Sequence, residues 1–357
     1  MDARIAFLRY CLDDSLPLPE NIVCIDWKKM MAWANDQAVV GVIYHGIQRA
    51  GNNISMPFDV LMAWVGYANR IEVQNKIMNQ RCVEVVDVFK NAGYEYMVLK
   101  GQGNALIYPN PLLRSSGDID VWVNGKTIKE IIRFAREKNP GAKACYHHVE
   151  YGAYNGVEVE VHYRPSFMYN PIHNYRLQKW FSKMAEGGCL MAELPEGTGG
   201  IRVPNMVFNV VFQISHVYNH LLHEGIGLRQ IIDYYYLLKS NTNRTNVTNY
   251  YDTLRYLGLE TIAGAMMWVL NEVLGLPESY LIAPKDEKRG KVLLAEIMKG
   301  GNFGHYDAEN KKANNAIKKN LQRIKRDVRM MRYFPSECLW EPVFRWYHFF
   351  WRVAHSG

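Results

Sequence analysis

The chain has 357 residues, 48% of them hydrophobic, and a net charge of +7. That suits a globular protein with room for more than one packed unit, and the lack of any run of 18 apolar residues excludes a membrane-crossing helix. The opening Met-Asp-Ala-Arg gives no leader pattern, and Cys11, Cys24, Cys82, Cys145, Cys189 and Cys338 are scattered without a Cys-x-x-Cys pair, so they read as reduced thiols of a cytoplasmic protein rather than a disulfide frame or a zinc site.

Residues 1–92 read as helical. Ile5, Leu8 and Cys11 share one face of a first helix, which Pro17 and Pro19 end. Residues 26–49 form a second helical stretch, with Met30, Trp33, Val40 and Ile43 apolar. Pro57 opens a long third helix that runs to Ala92 and closes at Gly93. Residues 93–170 form an α/β unit: strand 96–99, a short helix at 104–108, strand 118–123, helix 126–138, strand 144–150 and strand 157–163. Asn155-Gly156 is a hairpin signal between the last two strands. Residues 171–357 form a second helical domain, with an amphipathic helix at 205–223, a break at Gly225–Gly227, a helix at 228–239, and further helices near 247–257, 259–274, 286–299, 308–333 and 338–354. The fold class is therefore α/β (α+β): a small mixed sheet flanked by helical domains.

The chemistry gathers around residues 100–123. Asp118 and Asp120 alternate along a strand and share a face, while Ile119, Val121 and Val123 point into a core. Adjacent carboxylates repel unless a cation sits between them, and oxygen donors suit a hard divalent metal. The run 157–162 alternates as well, with Glu158, Glu160 and His162 on one face. If that strand lies beside the first, Glu160 or Glu158 supplies a third acid. Three acids around two Mg²⁺ (or Mn²⁺) ions are what in-line phosphoryl or nucleotidyl transfer needs.

Leu99-Lys100-Gly101, Arg114, Asp118-Ile119-Asp120, Glu160-Val161-His162 and the stretch from Glu224 to Asp233 together resemble the uncharacterised bacterial nucleotidyltransferases of the polymerase β-like superfamily. The resemblance covers roughly residues 80–240. It implies a catalytic set of Asp118, Asp120 and Glu160 that also holds the metal, with Glu160 preferred over Glu158 because it precedes His162. It implies an NTP donor contacted by Lys100, Gly101, Arg114, Ser116 and Arg229. Each has a plainer reading: a surface lysine for Lys100, a hydrogen-bonded loop for Arg114 and Ser116, and a surface i, i+4 salt bridge to Asp233 for Arg229. One departure stands out. The superfamily turn has a small residue after its first glycine, whereas Gln102 follows Gly101 here.

His216, His220 and His223 share a helix face, but no Glu follows His216, so the zincin motif is absent. Residues 311–332, from Lys311 to Arg332, carry nine Lys/Arg against the single acid Asp327. This is a solvated face or a sequence-blind grip on RNA phosphates. Tyr333, Phe334, Trp340, Trp346 and Phe349 read as helix core. The expected function is metal-dependent transfer of a nucleoside monophosphate from an NTP to an acceptor hydroxyl or phosphate, with no membrane partner. The alternative is an inactive nucleotide- or RNA-binding module of the same fold, for which the Gly101-Gln102 turn is the best support.

Overall fold

The computed structural model describes residues 2–241, 247–302 and 316–355, with the side chains of 247, 248 and 316–319 excepted. Helices α1 (Ala3–Leu12), α2 (Trp27–Asp36) and α3 (Val40–Ala50) open the chain. Asp2 caps α1 by accepting from the Arg4 N–H, and Asp26 caps α2 by accepting from the Lys28 and Lys29 N–H groups. The single helix expected over 26–49 is therefore two. Ala38 takes φ 55° between them. The buried Gln37 explains the break: it accepts from the Leu228 N–H and donates to the Ile297 carbonyl, both at 2.9 Å. Helix α4 (Phe58–Asn91) follows Pro57 and ends before Gly93, as the sequence predicts.

Next come β1 (Glu95–Val98), α5 (Gln102–Ala105), β2 (Ile119–Asn124), α6 (Ile128–Lys138), β3 (His148–Tyr154) and β4 (Val157–His162). The sheet order is β1-β2-β4-β3; β2 and β4 are parallel and the other pairs antiparallel. Asn155 and Gly156 both have positive φ, the geometry of a tight hairpin turn. The strand expected over 144–150 instead folds back on itself. The Cys145 N–H donates to the His148 carbonyl (2.9 Å), and the Glu150 N–H to the Lys143 carbonyl (3.0 Å). Tyr146 and His147 form the tip of this small hairpin, and β3 begins only after it.

Helix α7 (Pro171–Ala185) leads to a hairpin of β5 (Cys189–Glu193) and β6 (Gly200–Pro204) that the sequence reading takes for helix. These strands are short, Leu190 and Met191 point outward, and no clean alternation marks them. Then follow α8 (Met206–His223), α9 (Leu228–Lys239), α10 (Val247–Leu257), α11 (Glu260–Trp268) with a wider turn Val269–Val273, α12 (Glu287–Gly300), α13 (Ala316–Met331) and α14 (Pro335–Ala354). Among the described residues no helix is long and apolar enough to cross a membrane.

Alternation along β2 divides the core. Ile119, Val121 and Val123 pack with Phe89, Ile131 and Val161 on one side of the sheet. Each fully buried side chain of this size contributes about 1.5–3 kcal/mol. Trp122 faces the other way, into an apolar cluster that includes Phe7, Trp64, Phe208 and Phe334. Asp120, two residues before Trp122, thus lies on the face that the C-terminal helices cover. Of the aromatics expected as core, Phe334 is fully buried, but Trp346 is 69% exposed and Phe349 and Trp340 are exposed too. They sit on the outer side of α14, where no described element covers them. Residues 311–315 of the basic stretch, and the start of the helix expected from 308, lie outside the described residues.

Candidate active site

The parallel pairing of β2 with β4 sets Asp120 opposite Glu160. Asp118 stands just ahead of β2, and one carboxylate oxygen from each of the three acids lies within 4.8 Å of the others. Glu158 is exposed and outside this group. Asp120 is 1% exposed. Its Oδ1 lies 2.9 Å from His162 Nε2 and its Oδ2 lies 3.2 Å from Lys100 Nζ. The lysine lacks hydrogen-bond alignment, so Oδ2 is a buried oxygen with no hydrogen bond. A buried anionic oxygen held only by an ion pair with Lys100, beside two further carboxylates, fits a divalent cation.

The charges here support one another. Burial raises the Asp120 carboxyl, yet Lys100 and His162 outweigh it and hold the group below its ordinary value. Burial likewise works against ionised Glu160, but His162, His148 and Lys100 bring it down to about 2. Burial disfavours protonated His162, and Asp120 and Glu160 overcome this, raising it to about 9. Lys100 is also held above its usual range, because Asp120, Asp118 and Glu160 outweigh its burial.

His162 gives a pH signature in metal-free buffer. Its folded value exceeds its ordinary 6.5, so its contribution to stability is complete below pH 6.5 and is lost as pH rises through about 9. In EDTA, the unfolding free energy of the wild type is expected to fall over that range, while His162→Gln stays flat by comparison. Urea unfolding across pH 6–9.5 checks this, and the difference between the two chains separates it from Asp327, which burial lifts to about 7. Equal slopes would refute the assignment.

A cleft opens beside the acids, walled by Lys100, Gly101, Asp118, Arg114, Arg229 and His216. Gly101 has φ 57°, and a Cβ there would stand 3.3 Å from the Asp118 carbonyl oxygen. Only glycine adopts this turn without strain. Gln102 does not fill the space a small residue would leave: it is buried and donates to Asn79 Oδ1 on α4. Lys100 lies against Asp120 and 3.4 Å from His216 Nε2.

Arg114 differs from the sequence reading most. It is buried and forks onto Asp233, with Nε donating to Oδ1 (2.8 Å) and Nη2 to Oδ2 (2.7 Å). Tyr108 Oη also donates to Asp233, at 2.6 Å. The surface Arg229–Asp233 bridge is therefore corrected: both residues are buried, Arg114 holds Asp233, and Arg229 donates to the Ser115 carbonyl at 3.0 Å. Ser116 is half-buried in the same loop and is not on the cleft wall.

Among the described residues His216, His220 and His223 form no metal-binding group. Three cations of α13 have partners within the chain: Arg323 Nη2 lies 3.2 Å from His223 Nε2, Arg326 donates to the His223 carbonyl, and the exposed Arg329 pairs with Glu296. These groups are committed within the chain, which weakens the expected RNA grip. The sequence reading overlooks His147 and His148. His148 Nδ1 lies 3.4 Å from Glu160 Oε2 and 3.0 Å from His147 Nε2. The adjacent histidines, two residues after Cys145, were the available signal.

A family model described as an uncharacterised nucleotidyltransferase matches residues 24–275. No curated protein and no solved structure matches the chain.

Proposed function

The chain belongs to the family of uncharacterised nucleotidyltransferases, and we propose that it transfers a nucleoside monophosphate from an NTP to an acceptor hydroxyl or phosphate. The supporting observation is the convergence of Asp118, Asp120 and Glu160 on adjacent parallel strands, at the edge of a cleft that carries Lys100 and Arg229. The Gly101 turn and the order of these motifs favour membership of the polymerase β-like superfamily. Its six free thiols and the lack of a membrane-crossing helix among the described residues accord with a cytoplasmic setting.

In the reaction the acceptor oxygen bonds to the α-phosphorus, a hydroxyl acceptor giving up its proton to water, while the α–β bridging P–O bond breaks and pyrophosphate leaves. Asp118, Asp120 and Glu160 would hold Mg²⁺ or Mn²⁺, which supplies charge neutralisation at the attacking and leaving oxygens. Lys100 and Arg229 put fixed positive charge on the wall where a triphosphate would lie. Arg114, clamped by Asp233, shapes the Ser115–Asp118 loop and adds potential rather than a mobile grip. Glu160, held near 2, is a metal ligand and a poor base at neutral pH. Gln102 turned against Asn79 of α4 leaves the Gly101 turn open to the cleft, which supports the active reading over an inactive module.

Thermal unfolding with each NTP, with and without Mg²⁺, tests the reading. At a hundredfold excess over Kd, binding adds about 2.7 kcal/mol, a rise of several degrees at this size. The rise should need nucleotide and metal together and should accompany pyrophosphate release with a competent acceptor. No shift with any NTP, or an equal shift in Asp118→Asn/Asp120→Asn, would overturn it.

A further inference from the structure

The hairpin tip at residues 145–148 carries three donors that the proposed reaction leaves unused. Cys145 and His148 stand opposite each other across the tip, where cross-strand side chains share a face. His147 lies between them in sequence. Cys145 Sγ and one ring nitrogen from each histidine lie within 4.8 Å of one another. Sγ is 3.5 Å from His147 Nδ1, and His147 Nε2 is 3.0 Å from His148 Nδ1. The backbone beneath is pinned from the end of β4. The Tyr163 and Arg164 N–H groups both donate to the His147 carbonyl (3.0 and 3.1 Å), and Tyr163 Oη donates to the His148 carbonyl (3.1 Å). Folding has therefore already gathered the three side chains.

We propose that Cys145, His147 and His148 form a binding site for a zinc-class divalent ion, beside the three carboxylates and separate from them. One thiolate and two imidazoles select a borderline-soft metal such as Zn²⁺, whereas Mg²⁺ takes oxygen. Tetrahedral zinc holds such donors about 3.3–3.6 Å apart, so the three donors, now within 4.8 Å of one another, must draw in around the ion, with one of the two His147 nitrogens as ligand. Three protein ligands leave the fourth position to water. Because His148 Nδ1 also faces Glu160 Oε2, loading this site withdraws a partner from the catalytic acid. The rival use of these atoms is ion-free hydrogen bonding, in which His147 bridges Cys145 and His148, and His148 Nδ1 bonds either to His147 Nε2 or to Glu160.

The test uses the full chain, stripped with EDTA and titrated with Co²⁺ and then Zn²⁺ in excess Mg²⁺. The expected result is bound Co²⁺ with a thiolate-to-cobalt charge-transfer band in the near ultraviolet, displaced by Zn²⁺. Asp118→Asn/Asp120→Asn should keep the band. Cys145→Ser should lose it and bind Zn²⁺ at least about tenfold more weakly. The wild-type spectrum decides the matter even if a variant fails to fold. Co²⁺ bound without the band, a band that vanishes in the double carboxylate variant, or no uptake of either ion in excess Mg²⁺ overturns the proposal and leaves the ion-free hydrogen bonding.

Discussion

Asp120→Asn is expected to lower nucleotidyl transfer by at least about a thousandfold while the chain stays folded. The substitution keeps shape and removes charge. Asp120 is the most enclosed of the three acids and the one whose buried oxygen lacks a hydrogen bond. Charge stabilisation of the transition state at such a centre is worth several kcal/mol, and about 1.4 kcal/mol is tenfold in rate. Stability should suffer less than activity. Lys100 and His162 lose a shared counter-charge, but Glu160 still faces His162, so the histidine is not left as a bare cation. Pyrophosphate release with saturating NTP and Mg²⁺ measures the first effect, and circular dichroism and urea unfolding measure the second. Activity within tenfold of the wild type would remove Asp120 from the catalytic set.

Arg114→Met is expected to be the more damaging change for the fold, at about 3–5 kcal/mol. Both partners of the Arg114–Asp233 fork are buried, so removing one leaves a charge that water cannot reach. Tyr108 and Asn104 still donate to Asp233 and soften the loss without cancelling it. Replacing both partners, as in Arg114→Met/Asp233→Leu, should recover part of the stability, because Asp233 is then not left as a buried charge without its Arg114 partner. Urea unfolding without nucleotide compares the three chains. A single-variant cost below about 1 kcal/mol would show that the pair is effectively solvated.

Local periodicity made much of the site legible. Asp118, Asp120, Glu160 and His162 were readable because strands alternate, and Asn155-Gly156 marked its turn. What the sequence hid depends on distant partners or lacks a local mark. The break at Ala38 is set by Gln37 bonding to residues 191 and 260 positions away. Asp233 lies four residues from one arginine but pairs with another 119 positions away. The 145–148 hairpin has Tyr146-His147 at its tip, with no glycine, proline or asparagine to announce a turn. The outward face of α14 has the same apolar composition as a core, and burial cannot be read from composition alone.

The pairing of Asp120 with Glu160 also bears on when the proposed metal could bind. Parallel neighbours need a long crossover, and here α6 and two hairpins intervene between β2 and β4. Closing so long a loop is an entropic hurdle met late in folding. A register slip of one residue would set Val159 or Val161 where Glu160 belongs. An unfinished chain therefore holds two acids without the third, and a strong divalent site forms only when β4 zips into place. Metal uptake should track completion of the sheet, which makes bound metal a reporter of the native state rather than a template for reaching it.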